Sequence, residues 1–422
     1  MADHRASTRM KLQDVCHLIT DGKHGDCENQ EASGYYFLSC KDVRDGKLNY
    51  VGARQITEVD FLDTHRRTQL EPGDILVTNS GTIGRMAIAP KADRTHQTTF
   101  QKSVAIVKPD HTKVFNTWLY YYLLAEVERL IAFAGGTAQK NLLLRDMRTF
   151  EINVPPQSTQ HRIASILSVY DDLIENNMRR ITILEEMARR LYEEWFVHFR
   201  FPGHEDATFT ETEHGRVPGG WKYCQLGEVS AFISRGISPK YDDDAECRVI
   251  NQKCIRDHRL NMDLSRRQSK NVPEDKYVQF GDLLINSTGV GTLGRVAQVQ
   301  EQFDKVTVDS HVTIARANDT MDKVFYGQQL LHLQPHFEDQ GVGATGQTEL
   351  SKTRVSETLV LHPSQPIQSR FGELVDPMKR QIQVLLSKNT NLRTQRDLLL
   401  PKLVAGEIDV SESEVALEDV VA

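Results

Sequence analysis

The sequence predicts a mixed α/β (α+β) protein that consists of two related domains, each followed by a long helix. Two observations lead to this fold class. Motifs of the first half of the 422-residue chain return in the second half, in the same order and with similar spacing. Each half also ends in a long stretch whose apolar residues recur every seven positions, a pattern typical of a paired helix. The repeat is far longer than a solenoid unit, so each copy is expected to form a complete domain.

Matched pairs of short motifs carry the repeat. Gly73–Val77 (GDILV) corresponds to Gly281–Ile285 (GDLLI), and the loop SGTIGRMA that follows corresponds to TGVGTLGRVA, which is two residues longer. The other pairs, in chain order, are LQDV and LGEV, FLSCKDVRDGKL and VINQKCIRDHRL, TFQKSVAIVK and TVDSHVTIAR, and GGTAQ and GATGQ. Order and spacing persist over nearly the whole chain, which indicates a duplication.

Apolar segments within each copy predict the strands of a sheet. These segments are Ile75–Val77 and Val104–Val107 in the first copy and Leu283–Ile285 and Val312–Ala315 in the second. The segment from Trp118 to Phe133 is apolar enough to form a largely buried helix. Gly-rich stretches between the strands predict turns or loops.

Two heptad rows run along each long helix. The rows of the first are Leu167, Ile174, Ile181, Ala188 and Trp195, and Ile163, Tyr170, Asn177, Leu184 and Leu191. A shift of 208 residues gives the rows of the second: Val375, Ile382, Asn389, Arg396 and Leu403, and Phe371, Met378, Leu385, Leu392 and Leu399. Each helix therefore has a seam for a partner helix.

The two helices are expected to pair with each other in antiparallel orientation. If they pair over their full length, the numbers of paired residues add up to 566, which places Asn177 opposite Asn389. A buried polar layer of this kind fixes register at some cost in stability. Tyr170 is expected to face Arg396 in a cation–π or stacking contact. The alternative is that each helix packs only on its own domain.

These features divide the chain into successive segments. They are a first domain (1–156), a first long helix (157–200), a linker rich in Gly, Pro and charge (201–220), a second domain (221–364), a second long helix (365–405) and an acidic tail (406–422).

Charge and composition narrow the function. The net charge of −7 argues mildly against nucleic acid, but the tail after Lys402 carries six acidic residues and no basic one. Residues 1–155 hold 20 basic and 19 acidic residues, so a local basic face is compatible with this balance. The six cysteines show no metal-ligand spacing and are expected to be free thiols of a cytoplasmic protein. We expect no membrane span and no signal peptide.

Catalytic motifs are not evident. The sequence contains no phosphate-binding GxxxxGK[ST] loop, no GxSxG elbow and no HExxH pair. The loops Gly81–Arg85 and Gly289–Arg295 lead into strand-like sequence, whereas a dinucleotide fingerprint leads into a helix. Two interpretations of these loops remain open: tight hairpins that need glycine, or loops whose amides and arginine approach a phosphate.

Several basic or amide residues are candidates for DNA contact because they recur in both copies or follow a Gly-rich turn. Arginine, lysine and glutamine side chains form the common hydrogen bonds to base edges and phosphates. The candidates are Lys41, Arg44, Arg85, Gln139 and Lys140 in the first copy and Lys253, Arg256, Arg295 and Gln347 in the second. Individually, each is also compatible with a solvated surface.

The chain resembles the specificity subunit of Type I restriction–modification enzymes. The residues that carry the resemblance are TGVGTLGRVA and VDSHVTIAR in the second copy, LYEEWFVHFRFPG (Leu191–Gly203) at the end of the first helix, and NLRTQRDLLLPKLVAGEIDV (Asn391–Val410) at the end of the second. The resemblance extends from about Lys11 to Val410. The first-copy loop is shorter than the second, which weakens a transfer of detailed contacts between the copies.

The resemblance implies a non-catalytic subunit. Each domain would read one half of a bipartite, asymmetric double-stranded DNA target, and the antiparallel coiled coil would set the gap between the halves. Two methyltransferase subunits would dock on this scaffold, and restriction subunits would join them. S-adenosylmethionine, ATP and Mg²⁺ would then belong to those partners, and this chain would hold no cofactor or metal.

Two other classes of function remain as alternatives. A pseudo-symmetric scaffold that binds only proteins would share the duplication and the long helices. An enzyme with an unfamiliar site would turn over nucleic acid without partners.

Overall fold

The computed structural model describes residues 7–134, 141–340 and 349–410. The chain divides into two compact units, of which the first combines Met1–Glu175 with Asn389–Ala422 and the second comprises Asn176–Lys388. Each unit therefore contains part of both long helices. These helices are α5 (Gln157–Tyr192), which continues as a π-helical turn Glu193–Val197, and α9 (Gln365–Val404).

The other elements of the first unit are short. Its strands are β1 (Thr8–Lys11), β2 (Cys16–Asp21), β3 (Tyr36–Leu38), β4 (Val43–Arg44), β5 (Lys47–Leu48), β6 (Ile75–Thr78), β7 (Met86–Ile88), β8 (Thr98–Phe100), β9 (Val104–Pro109) and β10 (Glu151–Val154). Its helices are α1 (Glu58–Thr68), α2 (Asn116–Ala125), α3 (Val127–Ala132) and α4 (Leu144–Thr149).

The second unit repeats most of this order. Its strands are β11 (Phe209–Thr212), β12 (Gly215–Pro218), β13 (Lys222–Gln225), β14 (Ser230–Arg235), β15 (Arg248–Ile250), β16 (Ile255–Arg256), β17 (Arg259–Leu260), β18 (Arg266–Arg267), β19 (Leu283–Asn286), β20 (Val296–Gln298), β21 (Val306–Val308), β22 (Val312–Ala317) and β23 (Leu359–His362). Its helices are α6 (Lys323–His332), α7 (Gln334–Asp339) and α8 (Lys352–Glu357).

The same four-stranded antiparallel sheet lies at the centre of each unit. Its order is β2–β9–β6–β7 in the first unit and β14–β22–β19–β20 in the second. All four predicted strand segments fall within these sheets, and the two matching sheets agree with the predicted duplication.

Both faces of each sheet are buried. In β6, Ile75 and Val77 belong to one apolar cluster and Leu76 to another, because successive side chains of a strand point to opposite faces. In β19, Leu283 and Ile285 alternate with Leu284 in the same way. Burial on two faces explains why these strands are continuous apolar runs.

The predicted helix from Trp118 to Phe133 is interrupted. It forms α2 and α3, which meet at Glu126, where φ −94° and ψ 13° depart from helical geometry. In the second unit α6 and α7 meet at Leu333, and Pro335 stands in the first turn of α7. A proline in a helix interior removes a backbone hydrogen bond and clashes with the preceding turn, so the break before Pro335 is favoured.

The long helices pair as the heptads predict. In the first unit Ile163 and Leu167 of α5 share an apolar cluster with Leu400 and Leu403 of α9. In the second unit Ile181 packs with Ile382 and Leu385. Low-numbered residues of α5 thus meet high-numbered residues of α9, which is the antiparallel arrangement.

The polar residues of the predicted register differ in detail from expectation. Asn389 is fully buried, and its Nδ2 atom donates to the carbonyl oxygen of Ile174 at 3.4 Å. Its predicted meeting with Asn177 joins residues of different units and stays a prediction.

The predicted contact between Arg396 and Tyr170 is not among the cation–π contacts of residues 7–134, 141–340 and 349–410. The Arg396 guanidinium instead forms ion pairs with Asp171 and Asp397, and Asp171 also accepts from Tyr121 Oη at 2.6 Å. A carboxylate one residue away therefore replaces the predicted aromatic partner, because an ion pair saturates the guanidinium hydrogen bonds more fully than a ring face does.

Two segments depart from the expected boundaries. The first long helix was expected to reach Arg200, but its π-helical turn ends at Val197 and buries both Trp195 and Phe196. The segment 201–220, expected as a linker, contains the hairpin β11–β12, and Val217 of this hairpin is fully buried. Clustered aromatic residues around Trp221 supply the packing that an apolar period would otherwise provide.

A buried ion pair recurs beside both sheets. Asp282 is fully buried, and its two carboxylate oxygens each accept from Arg316 at 2.8 Å. In the first unit Lys108 donates to Asp74, and burial raises the pKa of this carboxyl group. The first-unit pair joins the turn before β6 to the neighbouring strand β9. The second-unit pair joins the turn before β19 to the neighbouring strand β22.

The substitution Asp282→Ala tests this packing. It leaves the Arg316 guanidinium largely buried without its carboxylate, so the free energy of unfolding is expected to fall by about 3 kcal/mol. Urea denaturation followed by circular dichroism measures the change. Asp319→Ala, at an exposed position, is the matched control and should change stability by less than about 0.5 kcal/mol. Equal stability of the two variants would contradict a structural role for the pair.

Candidate nucleic-acid interface

The Gly-rich loop of the first unit is a hairpin connection between β6 and β7. Two of its backbone amides donate hydrogen bonds to Thr78: Gly84 N donates to the Thr78 carbonyl oxygen at 2.9 Å, and Arg85 N donates to Thr78 Oγ1 at 2.9 Å. Gly84 has φ +89°, and an added Cβ atom would lie 2.6 Å from Val127 Cγ2. Both conditions require glycine, so the hairpin interpretation of this loop is confirmed.

The longer loop of the second unit is built on Asn286. Its Nδ2 atom donates to the carbonyl oxygens of Thr292 and Gln252, each at 3.0 Å. Gly294 has φ +80°, and an added Cβ atom would lie 2.4 Å from Glu338 N. The side chain of one buried residue thus holds the loop and connects it to the turn at Gln252.

Four segments of the first unit converge at this end of the sheet. They are residues 39–41, 79–85, 101–103 and 141–142, here called the first polar edge. Asn79 N donates to the Ser103 carbonyl oxygen at 3.0 Å, Leu142 N donates to the Asn79 carbonyl oxygen at 2.9 Å, and Cys40 N donates to Ser103 Oγ at 3.2 Å. The Gly-rich loop therefore lies between the other three segments.

The second unit contains the matching arrangement. The second polar edge comprises residues 251–253, 286–295, 309–311 and 349–350. Ser287 N donates to the His311 carbonyl oxygen at 2.8 Å, and Leu350 N donates to the Ser287 carbonyl oxygen at 2.9 Å. These two bonds repeat, 208 residues later, two bonds of the first edge, so the backbone scaffold is the same in both.

Side chains differ between the two edges although their backbones match. Where the first edge has Ser80 and Ser103, the second has Thr288 and His311, and these two are hydrogen-bonded at 2.8 Å between Thr288 Oγ1 and His311 Nδ1. The Gln252 side chain accepts from Thr288 at 3.2 Å. Cys40, the first-unit counterpart of Gln252, is much smaller. The two polar edges therefore share a backbone arrangement but present different side chains.

The predicted basic residues lie at or beside these edges. Lys41 and Arg44 are exposed, and Arg44 Nε donates to the Lys41 carbonyl oxygen at 2.8 Å. Lys253 and Arg256 are exposed at the same places in the second unit. Arg85 and Arg295 end the two Gly-rich loops, and both are partly exposed.

Most of these cations have no carboxylate partner within the described part of the chain. Only Arg256 forms an ion pair there, at 3.5 Å to the neighbouring Asp257. Unpaired cations on an exposed edge attract polyanions.

Three predicted residues, Gln139, Lys140 and Gln347, lie outside the described residues, as do the motifs GGTAQ and GATGQ that contain them. Sequence reasoning also missed Ser103, His311 and Glu349. Glu349 is held by an ion pair to Arg235 at 2.6 Å, and Arg235 also donates to the Leu350 carbonyl oxygen at 2.8 Å. The divergence of TFQKS from TVDSH was the signal that pointed towards Ser103 and His311.

An inward-facing acid shapes the second edge. Asp309 is buried, its Oδ1 atom accepts from His311 N at 2.9 Å, and burial raises the pKa of its carboxyl group. The carboxylate thus orders the turn that carries His311 instead of adding an exposed negative charge.

Within residues 7–134, 141–340 and 349–410, no group of three or more His, Cys, Asp or Glu side chains is placed to hold a metal ion. The same part of the chain contains no helix that is both long and apolar enough to span a membrane. What the polar edges offer is hydrogen-bond donors, acceptors and positive charge.

Comparisons with known proteins agree with this arrangement. Residues 7–186 match the family model of the Type I restriction modification DNA specificity domain. The Type I restriction enzyme MjaIX specificity subunit of Methanocaldococcus jannaschii is 27% identical over 389 residues, which cover 89% of this chain and 87% of that protein. Over most of its length, this chain is similar to specificity subunits of Type I restriction enzymes.

Other specificity subunits are similar to this chain over most of their length. The HindI specificity subunit of Haemophilus influenzae is 20% identical over 447 residues, covering 88% of this chain and 94% of that protein. The crystal structure of the S subunit of a Type I restriction–modification system from M. genitalium has a TM-score of 0.57 at 18% identity and covers 96% of this chain. That similarity supports the fold of the specificity subunit.

The substitution Asn286→Ala tests how the second polar edge is held. The loss of two hydrogen bonds from a fully buried side chain should loosen residues 287–295 and 252–254 while the sheet stays intact. Hydrogen–deuterium exchange of these segments is expected to accelerate at least tenfold, with β22 unchanged. Asn271→Ala, at an exposed position, is the control. Unchanged exchange in both segments would mean that the loop does not depend on Asn286.

Proposed function

We propose that this chain is the non-catalytic DNA-recognition subunit of a Type I restriction–modification enzyme, and that each unit reads one half of a bipartite, asymmetric target. The observation that carries this proposal is the duplicated polar edge. The same backbone scaffold appears twice with different side chains, which is what two readers of different half-sites require.

Basic side chains and hydrogen-bonding side chains have different roles at each polar edge. Lys41, Arg44, Lys253 and Arg256 are exposed, so they suit contacts to phosphates that position the protein without selecting sequence. The loops that carry Thr288 and His311 present hydrogen-bonding groups suited to base edges. The proposal assigns affinity mainly to the first group and sequence selectivity mainly to the second.

The long helices supply the spacing. Because each unit contains part of α5 and part of α9, the length of the paired helices would set the gap between the two half-sites.

The proposal places two methyltransferase subunits and the restriction subunits on this scaffold, in the cytoplasm. S-adenosylmethionine, ATP and Mg²⁺ would bind to those partners, and this chain would select the target sequence on double-stranded DNA.

A map of methylated adenines in cells with and without this gene tests the proposal. Deletion is expected to remove methylation from one gapped, two-part motif, and the wild-type gene should restore it. An unchanged map, together with a purified complex that contains proteins but retains no DNA, would favour a protein-binding scaffold instead.

A charge variant sharpens the experiment. In cells that carry Lys253→Ala with Arg256→Ala, the methylated fraction of the same motif should fall while the motif itself stays unchanged, because phosphate contacts carry no sequence information. Lys222→Ala, an exposed lysine of β13 outside the second polar edge, is the matched control and should restore full methylation. A changed motif in the double variant would contradict the assignment of these residues to phosphates.

A further inference from the structure

The second unit contains a cavity of about 670 Å³ beside the paired helices. Its wall is formed by described residues of α5, α6, α7 and α9, the turn between β16 and β17, and the edge of β20. Ala188, Leu331, Pro335 and Ile382 make part of the wall apolar. The rest of the wall is formed by polar and charged side chains, and a volume of this size suits a small organic ligand.

Lys379 is the buried cation of this wall. Its side chain is 8% exposed, and its Nζ atom donates to Gln298 Oε1 at 2.7 Å. Gln298 Oε1 also accepts from Gln300 Nε2 at 2.8 Å, so this oxygen is shared between two donors. An ammonium group has three donors, and this is the one hydrogen bond it makes within the described residues. Burial lowers the pKa of Lys379 to about 8.

The first unit shows what fills the corresponding place. The 208-residue offset of the long helices relates Lys379 to Asp171 and Arg396 to Ala188. In the first unit Asp171 and Arg396 form an ion pair that is completed by Tyr121. In the second unit Lys379 on α9 carries the charge opposite to that of its counterpart, Asp171 on α5. Ala188 on α5 has only a methyl group where its counterpart, Arg396, has a guanidinium group. The buried Lys379 therefore faces a cavity in the second unit, whereas the corresponding charged residue of the first unit, Asp171, has an ion-pair partner in Arg396.

We propose that this cavity is a binding site for a small monoanionic carboxylate with an apolar body, and that the Lys379 ammonium group is its counter-charge. Buried charges in proteins are normally paired, and an incoming carboxylate would complete the pair that the duplication left incomplete. The proposal concerns this unit alone and does not depend on DNA recognition.

Other charged groups on the wall favour a single negative charge over a dianion such as phosphate. The acidic residues are largely neutralised: Arg259 pairs with Glu185 at 2.6 Å, and Arg189 pairs with Glu186 at 2.7 Å and with Glu193. Lys379 is the cation left for a ligand. The titratable groups that face it or line the cavity are Asp322, Asp376, Glu185, Glu186, Glu193, Asp257, His258, His332, Arg189 and Arg259. Burial lowers the pKa of His258 and of His332, so both imidazoles are neutral near pH 7.

Thermal unfolding of the purified full-length chain with benzoate as the probe tests the proposal. Benzoate at pH 7 is expected to raise the unfolding temperature saturably, while benzamide, which has the same shape and no charge, should not. Because binding needs the ammonium form, the dissociation constant should increase about tenfold for each pH unit above the Lys379 pKa. Equal effects of benzoate and benzamide, or no effect of benzoate, would overturn the proposal.

Two variants assign the effect to this cavity. Lys379→Met keeps the length and removes the charge, and it should weaken benzoate binding at least tenfold. Ala188→Arg combined with Lys379→Asp rebuilds the ion pair of the first unit, so this chain should fold and show no response to benzoate. If both variants fold and respond to benzoate as the wild type does, the carboxylate binds elsewhere and the proposal is wrong.

Discussion

The antiparallel pairing of α5 and α9 is the constraint on which both compact units depend. Each unit takes one part of each helix into its core, so a shift in helix register would displace core residues in both. Apolar contacts such as Ile181 with Ile382 supply most of the burial, but they tolerate sliding. Buried polar contacts do not. The bond from Asn389 to the Ile174 carbonyl oxygen and the ion pair of Asp171 with Arg396 are satisfied in one register only.

The same constraint separates the parts of each unit that hold the fold from the parts that are free to vary. Each central sheet is buried on both faces, and the pairs Asp74–Lys108 and Asp282–Arg316 fix its strands. The loops at the polar edges carry different side chains in the two copies, as where Ser103 in one copy corresponds to His311 in the other. A duplicated fold with two different readers is compatible with this division, because the two backbone–backbone bonds that recur at both polar edges do not involve the side chains that differ.

Much of the fold could be predicted from the sequence because it depends on local patterns. The heptads of α5 and α9 and the apolar triplets of β6 and β19 are periodic signals, and the structure confirms them. The π-helical turn Glu193–Val197 could not be predicted, because Phe196 packs against Phe371, which is distant in sequence. The hairpin β11–β12 could not be predicted, because its sequence has no apolar period and Phe209 packs edge-on against Phe199. The partner of Arg396 was misassigned for a similar reason: heptad geometry places it near Tyr170, but the choice between neighbouring side chains is made by charge.

The candidate site was predictable in outline only. Recurrence in both copies identified Lys41, Arg44, Lys253 and Arg256, which are exposed. It did not identify Glu349, because this residue is held at the second polar edge by a tertiary ion pair with Arg235, which leaves no local pattern. The cavity beside Lys379 was equally hidden, because its lining residues come from segments that are distant in sequence.

The most direct test of the central claim is to lengthen the paired helices and map the methylated target. One heptad is inserted into α5 between Glu175 and Asn176 and another into α9 between Lys388 and Asn389. At about 1.5 Å per residue this adds about 10 Å, or about three base pairs of duplex DNA. We expect a methylated motif with unchanged half-sites and a gap longer by about three base pairs. Full methylation of the original motif, or altered half-sites with the original gap, would contradict a role of the helix pair in setting the spacing.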